Sequence, residues 1–132
     1  MRGPFASDYA CATALHLEYP ALKQGETTAV VHPASIRMAQ GVTIEQARGP
    51  AKALGVWQDG MDAATATEAT AGELERVYRD FGMPVRLRDM DIAQDSLPSV
   101  AGRTVKIFNA SGTLTTPEER VARSLELLKA AW

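Results

Sequence analysis

Apolar residues recur at helical intervals along most of the chain, and nowhere do they alternate for long enough to mark a convincing strand. Phe5, Tyr9, Ala12 and His16 share a helical spacing that predicts a first helix from about Pro4 to Glu18. Tyr19-Pro20 stops it, because a residue before proline is pushed out of the helical region. After a short loop carrying Lys23, Gln24 and Gly25, a second helix is expected from about Glu26 to Gln40, ending on Gly41 and kinked at Pro33. Thr43-Ile44-Glu45-Gln46 reads as a capping box that opens a third helix. Gly49-Pro50 is expected to interrupt this helix, with Pro50 starting a short segment that ends at Gly55.

The stretch Ala63 to Gly72 has no large apolar residue, so it reads as an exposed helical lead-in or as poorly ordered chain. Leu74, Val77, Tyr78 and Phe81 then mark one amphipathic face, stopped by Gly82 and Pro84. Ile92 to Val100 is expected to be helical, with Asp95 near its start and Pro98 in its first turn, and Val105 to Phe108 could be extended. In the last helix Thr116 is the cap, Pro117 the first helical residue and Glu119 the partner that completes a capping box. Val121, Leu125 and Leu128 follow as an apolar stripe. Without repeats or convincing strands, residues 1–132 are expected to form a single all-α domain.

Composition changes that picture in one respect. Of 132 residues, 22 are alanine, so the helices are expected to pack closely while burying little area per side chain. A formal net charge of −2, with Arg76, Arg79, Asp80, Arg86, Arg88 and Asp89 interleaving the two signs, argues against a nucleic-acid partner. Apolar runs of only a few residues argue against a membrane span, and the Met1-Arg2-Gly3-Pro4 start does not read as a secretion signal. Cys11, the single cysteine, reads as a small buried hydrophobe. A cytoplasmic setting is therefore expected.

The residues alone point to no enzyme. His16 and His32 lie apart, and the positions one turn either side of His16, Ala12 and Pro20, cannot bind metal, so structural roles are expected for both imidazoles. Neither a nucleophile elbow nor a glycine-rich phosphate cradle is present. Glu118-Glu119 suits a helix start, and Asp89 and Asp91 suit a solvated turn.

Taken in order, several segments resemble the C-terminal part of the iron-dependent (group III) alcohol dehydrogenases and the related maleylacetate reductases. The likeness begins at Ala12 to His16. It continues through Gln24-Gly25-Glu26-Thr27-Thr28-Ala29-Val30-Val31-His32-Pro33, similar to the family's His-Gly/Ala-x-x-Asn/His-Ala-x-Leu-Leu-Pro helix start. Ala47 to Gly55 is similar to the following helix with its alanine-leucine-glycine end. Phe81-Gly82-Met83-Pro84-Val85-Arg86-Leu87-Arg88-Asp89 is similar to a Gly-x-Pro-x-x-Leu-Arg-Asp turn. Asn109 and the helix ending in Ala131-Trp132 resemble the closing asparagine loop and final helix.

The resemblance implies the helical lobe of the dehydroquinate synthase-like fold. In the family that lobe follows a nucleotide-binding lobe, and a divalent metal held by one aspartate and three histidines lies between them, beside NAD(P). The same resemblance puts Ala12 and Gln24 at two positions of family ligands, and the other two upstream of this chain. His16 resembles a family histidine near the substrate that is not normally a ligand. No metal and no cofactor are therefore expected for the isolated chain, with NAD(P) only where a partner supplies the nucleotide-binding lobe.

Two readings follow. The first is a non-catalytic, stand-alone remnant acting as an interaction or small-ligand module. It would be a homo-oligomer, or would have a protein partner covering an exposed apolar face. Its candidate pocket would lie between the first two helices, lined by His16, Gln24, Gly25, Glu26 and Thr28. The second is the C-terminal part of a split or truncated NAD(P)-dependent oxidoreductase, with His16 as the candidate proton donor.

Overall fold

The computed structural model describes residues 5–107 and 116–132, and all regular structure among them is helical. Six α-helices follow in chain order: α1 (Phe5–Glu18), α2 (Gln24–Met38), α3 (Ile44–Ala53), α4 (Ala63–Asp80), α5 (Leu97–Ile107) and α6 (Pro117–Ala131). Two 3-10 turns, Leu87–Met90 and Gln94–Ser96, lead into α5. Asn109 and Phe108 lie outside the described residues.

α1 is a buried alanine-rich helix, with Ala10, Cys11, Ala12, Ala14 and Leu15 all inaccessible. Burying so many small side chains lets neighbouring helices approach closely, which places α2, α5 and α6 against it. α2 begins two residues earlier than the sequence suggested and ends at Met38, two residues short of Gln40. Gly41, with φ +67°, therefore lies in the following loop and is not the helix cap. The helix runs unbroken through Pro33, which is buried. Proline costs it only one intrahelical bond, while Val30, Val31 and Ala34 hold the segment against the core.

Gly49-Pro50 does not interrupt α3. Both capping-box bonds are made, Gln46 N–H donating to Thr43 Oγ1 (3.3 Å) and Thr43 N–H to Gln46 Oε1 (3.0 Å). Ala47 and Ala51 are buried on one face while Pro50 is exposed, so packing carries the helix past its missing bond. Val56 N–H returns to the Ala51 carbonyl (2.9 Å) and Gly55 N–H to that of Lys52 (3.0 Å), around Gly55 at φ +74°. The same double closure ends α4, from Met83 to Tyr78 (2.9 Å) and Gly82 to Arg79 (2.9 Å), with Gly82 at φ +75°. A side chain at either left-handed position would be strained, which is why glycine stops each helix.

The stretch 63–72 is the ordered first half of α4. Asp62 caps it by accepting from Thr65 N–H (2.7 Å), and Ala66, Thr70 and Ala71 are buried. Of the two alternatives the helical lead-in holds, with Ala64, Thr65 and Glu68 exposed, but its other face is buried by helix-to-helix contact, which needs no large apolar residue. Phe81, grouped with the apolar face of this helix, is 81% exposed. Ile92 is buried in a loop, with α5 starting later, at Leu97, and Val105 to Ile107 are helical, not extended. Thr116 and Glu119 make both bonds of the final capping box (3.2 and 2.8 Å). α6 buries Ser124, Leu127, Leu128 and Ala131, so Leu127 joins the apolar stripe.

Most of the buried apolar residues form one cluster from α1, α2, α5, α6 and the 87–92 loop, centred on Leu15, Val31, Leu87, Leu97 and Leu128. A second, small cluster joins Ala47 and Ala51 of α3 to Ala66 of α4, with Val42, Val56, Trp57 and Met61 around them.

Candidate functional site at the turn between the first two helices

The turn from α1 to α2 is short, and it is tied down from both sides. Tyr19 N–H donates to the Leu15 carbonyl (2.8 Å), extending α1 by one bond, and Leu22 N–H donates to the Tyr19 carbonyl (3.0 Å). The Tyr19 hydroxyl donates to Ser96 Oγ (2.7 Å), anchoring the turn to the segment before α5. His16, in the last turn of α1 and half-buried, donates from Nδ1 to the Leu22 carbonyl (2.8 Å). The neutral ring then carries its proton on Nδ1, and Nε2 is the nitrogen left to accept.

α2 starts immediately beyond. Gln24 and Gly25 are exposed, Glu26 is half-buried and Thr28 is exposed. The Gln24 carbonyl accepts from both Thr27 Oγ1 (2.9 Å) and Thr28 Oγ1 (2.8 Å), so the two hydroxyls serve the first turn of the helix. His16, Gln24, Gly25, Glu26 and Thr28 thus share one end of the α1–α2 pair. His32 lies further along α2, one turn beyond Thr28 and half-buried.

Ala12 stands one helical turn before His16, its methyl group wholly buried. An alanine offers no donor atom, and the Gln24 amide is a weak neutral ligand compared with imidazole or carboxylate. Among the described residues no three His, Cys, Asp or Glu side chains are grouped so as to hold a metal ion. Between them, Ala12 and Gln24 supply no imidazole, thiolate or carboxylate donor.

A depression of about 240 Å³ lies elsewhere, beside the other end of α2. It is bounded by Arg37 and Ala39 on one side and by Ala64, Thr67 and Glu68 on the other. Sequence reasoning missed this place, since Arg37 and Glu68 are 31 residues apart and neither belongs to a motif. Arg37 donates through Nε to Glu68 (3.0 Å) and through Nη1 to Glu75, and Arg86 adds a bond to Glu75 (3.1 Å). Burial pushes the Glu75 carboxyl upward, but the two guanidinium groups outweigh it and hold the group below the usual glutamate range.

Element order and packing match the helical lobe of the iron-dependent alcohol dehydrogenase fold. Lactaldehyde reductase of Escherichia coli K12 aligns with 109 residues, 82% of this chain, at 28% identity, and that of Escherichia coli O157:H7 aligns to the same extent. A crystal structure of 1,3-propanediol oxidoreductase superposes on 96% of the chain with a TM-score of 0.68 at 21% identity. No family model matches. The chain spans 28% of the length of the curated relatives and 32% of the solved structure.

Proposed function

We propose that this chain is a metal-free helical lobe of dehydrogenase descent that works as an interaction or small-ligand-binding module. The observation that carries the reading is Ala12. Where the resemblance calls for a ligand there is a buried methyl group, and Gln24 takes the place of a second ligand. His16 is bound to the Leu22 carbonyl, so its ring is held in one tautomer. With Gln24, Gly25, Glu26 and Thr28 it offers a polar rim suited to a small hydrogen-bonding ligand. Tyr9, Leu17 and Phe81 are exposed large apolar side chains, which suit contact with a second copy or a protein partner. No described helix is long and apolar enough to cross a membrane. The same reading assigns the chain to the cytoplasm, with neither nucleic acid nor membrane as a partner.

A second reading, the helical part of a split or truncated NAD(P)-dependent oxidoreductase, draws on the alignment with a reductase. Any hydride chemistry would then need a nucleotide-binding lobe, and His16 Nε2 would be the group placed to exchange a proton.

The test is elemental analysis of the purified chain with light scattering after size exclusion. No stoichiometric zinc or iron, together with a defined oligomer, is the result expected of the module. One equivalent of tightly held metal would overturn the metal-free reading. Turnover of simple alcohols with NAD or NADP would establish the oxidoreductase instead.

A further inference from the structure

The two apolar clusters share no residue. The larger draws on α1, α2, α5, α6 and the 87–92 loop, and the smaller on α3, α4 and the segments flanking them. α3 packs on α4, and α4 in turn packs on α2. The fully buried residues of α4 are Ala66, Thr70 and Ala71, all small, while its larger apolar residues Leu74, Val77 and Tyr78 are only half-buried. Across the α2–α4 contact run ionic bonds, from Arg37 to Glu68 (3.0 Å) and to Glu75, while Arg86 holds Glu75 (3.1 Å) from the loop after α4. Residues 44–80 are flanked by loops that each contain a left-handed glycine, Gly41 at φ +67° and Gly82 at φ +75°. The depression lined by Arg37, Ala39, Ala64, Thr67 and Glu68 lies at the joint, with one wall on each part.

We propose that α3 and α4 form a hinged flap that opens from the α1–α2–α5–α6 body as one unit, latched by Arg37 and Glu75. Opening about the two glycine loops leaves both apolar clusters whole. Peeling off any helix of the body would instead expose fully buried side chains such as Leu15, Val100 or Leu128. The lowest-cost partial opening of a fold with segregated cores runs between them. The cleft at the joint would widen with that motion, and Arg37 and Glu68 on its walls would be released from each other.

Hydrogen–deuterium exchange of the full chain, read by mass spectrometry, tests the flap. Amides of α3 and α4 are expected to exchange at a common rate, faster than those of α1 and α5. Arg37→Met should speed exchange across residues 44–80 by about tenfold and leave residues 97–107 unchanged. Equal protection of both parts in the native chain would overturn the proposal, as would acceleration of both parts alike in the variant. If the variant does not fold, the native exchange profile alone decides.

Discussion

Ala12 shows how much one side chain can carry. Its methyl group is inaccessible, so any larger residue must displace its neighbours. Ala12→Leu should lower stability by about 1–3 kcal/mol, checked by urea unfolding followed by circular dichroism. Leu15, fully buried three residues on, has the opposite liability. Leu15→Ala would leave a cavity and should cost about 2–5 kcal/mol in the same experiment. The cap residues act through a single oxygen. Thr116 Oγ1 accepts from Glu119 N–H, and Thr116→Ala should cost about 1 kcal/mol, measured as a lowered urea midpoint with unchanged slope. These caps were readable in advance because a capping box is local, set by residues three apart. The bond from His16 to Leu22 was not, because nothing in a six-residue separation says that a turn will bring the carbonyl back to the ring.

Helices are where local rules and packing compete. α3 keeps going through Gly49-Pro50, against the ordinary cost of proline in a helix interior, because Ala47 and Ala51 pin its other face. Pro50 is exposed and contributes no donor to the helix. Pro50→Ala should therefore raise the melting temperature, with a gain of about 1 kcal/mol or more, measured by differential scanning calorimetry. An unchanged or lowered melting temperature would mean that Pro50 is helping through the unfolded chain. α4 teaches the converse lesson. Its first half looked like exposed chain because it lacks large apolar residues, yet Ala66, Thr70 and Ala71 are buried. Small side chains can be buried only where another helix comes close, and the approach of α2 and α3 is a long-range fact. The conspicuous Phe81 is exposed, at the residue that caps the C-terminal end of α4.

Across the molecule, the ionic latch between α2 and α4 gives stability a pH dependence of known sign. Glu75 is held below the ordinary glutamate value of 4.5 by its two arginines in the folded state. The unfolded chain therefore takes up that proton first as the solution is acidified. The stabilisation is complete above about pH 4.5 and is lost as pH falls towards the depressed folded value. Glu75→Gln should lower stability at neutral pH by about 1–3 kcal/mol and flatten the acid limb of the stability profile. Urea midpoints measured from pH 7 down to about pH 3 would show both effects. A profile as steep as the native one would mean that other carboxylates dominate the acid response.

All-helical architecture, the capping boxes at Thr43 and Thr116, the stops at Tyr19 and Gly82, and burial of Cys11 could each be read from residues close in sequence. Helix periodicity, caps and glycine stops are local physics, so a linear reading reaches them. So is the absence of a donor atom at Ala12, which follows from the identity of the residue. Folding alone brought Arg37 to Glu68 and Glu75, split the apolar core in two, buried the small face of α4 and tied His16 to the α1–α2 turn. Those features depend on which helices meet. In an alanine-rich chain the partners are chosen by close contacts between small side chains, which leave little trace in the hydrophobic periodicity.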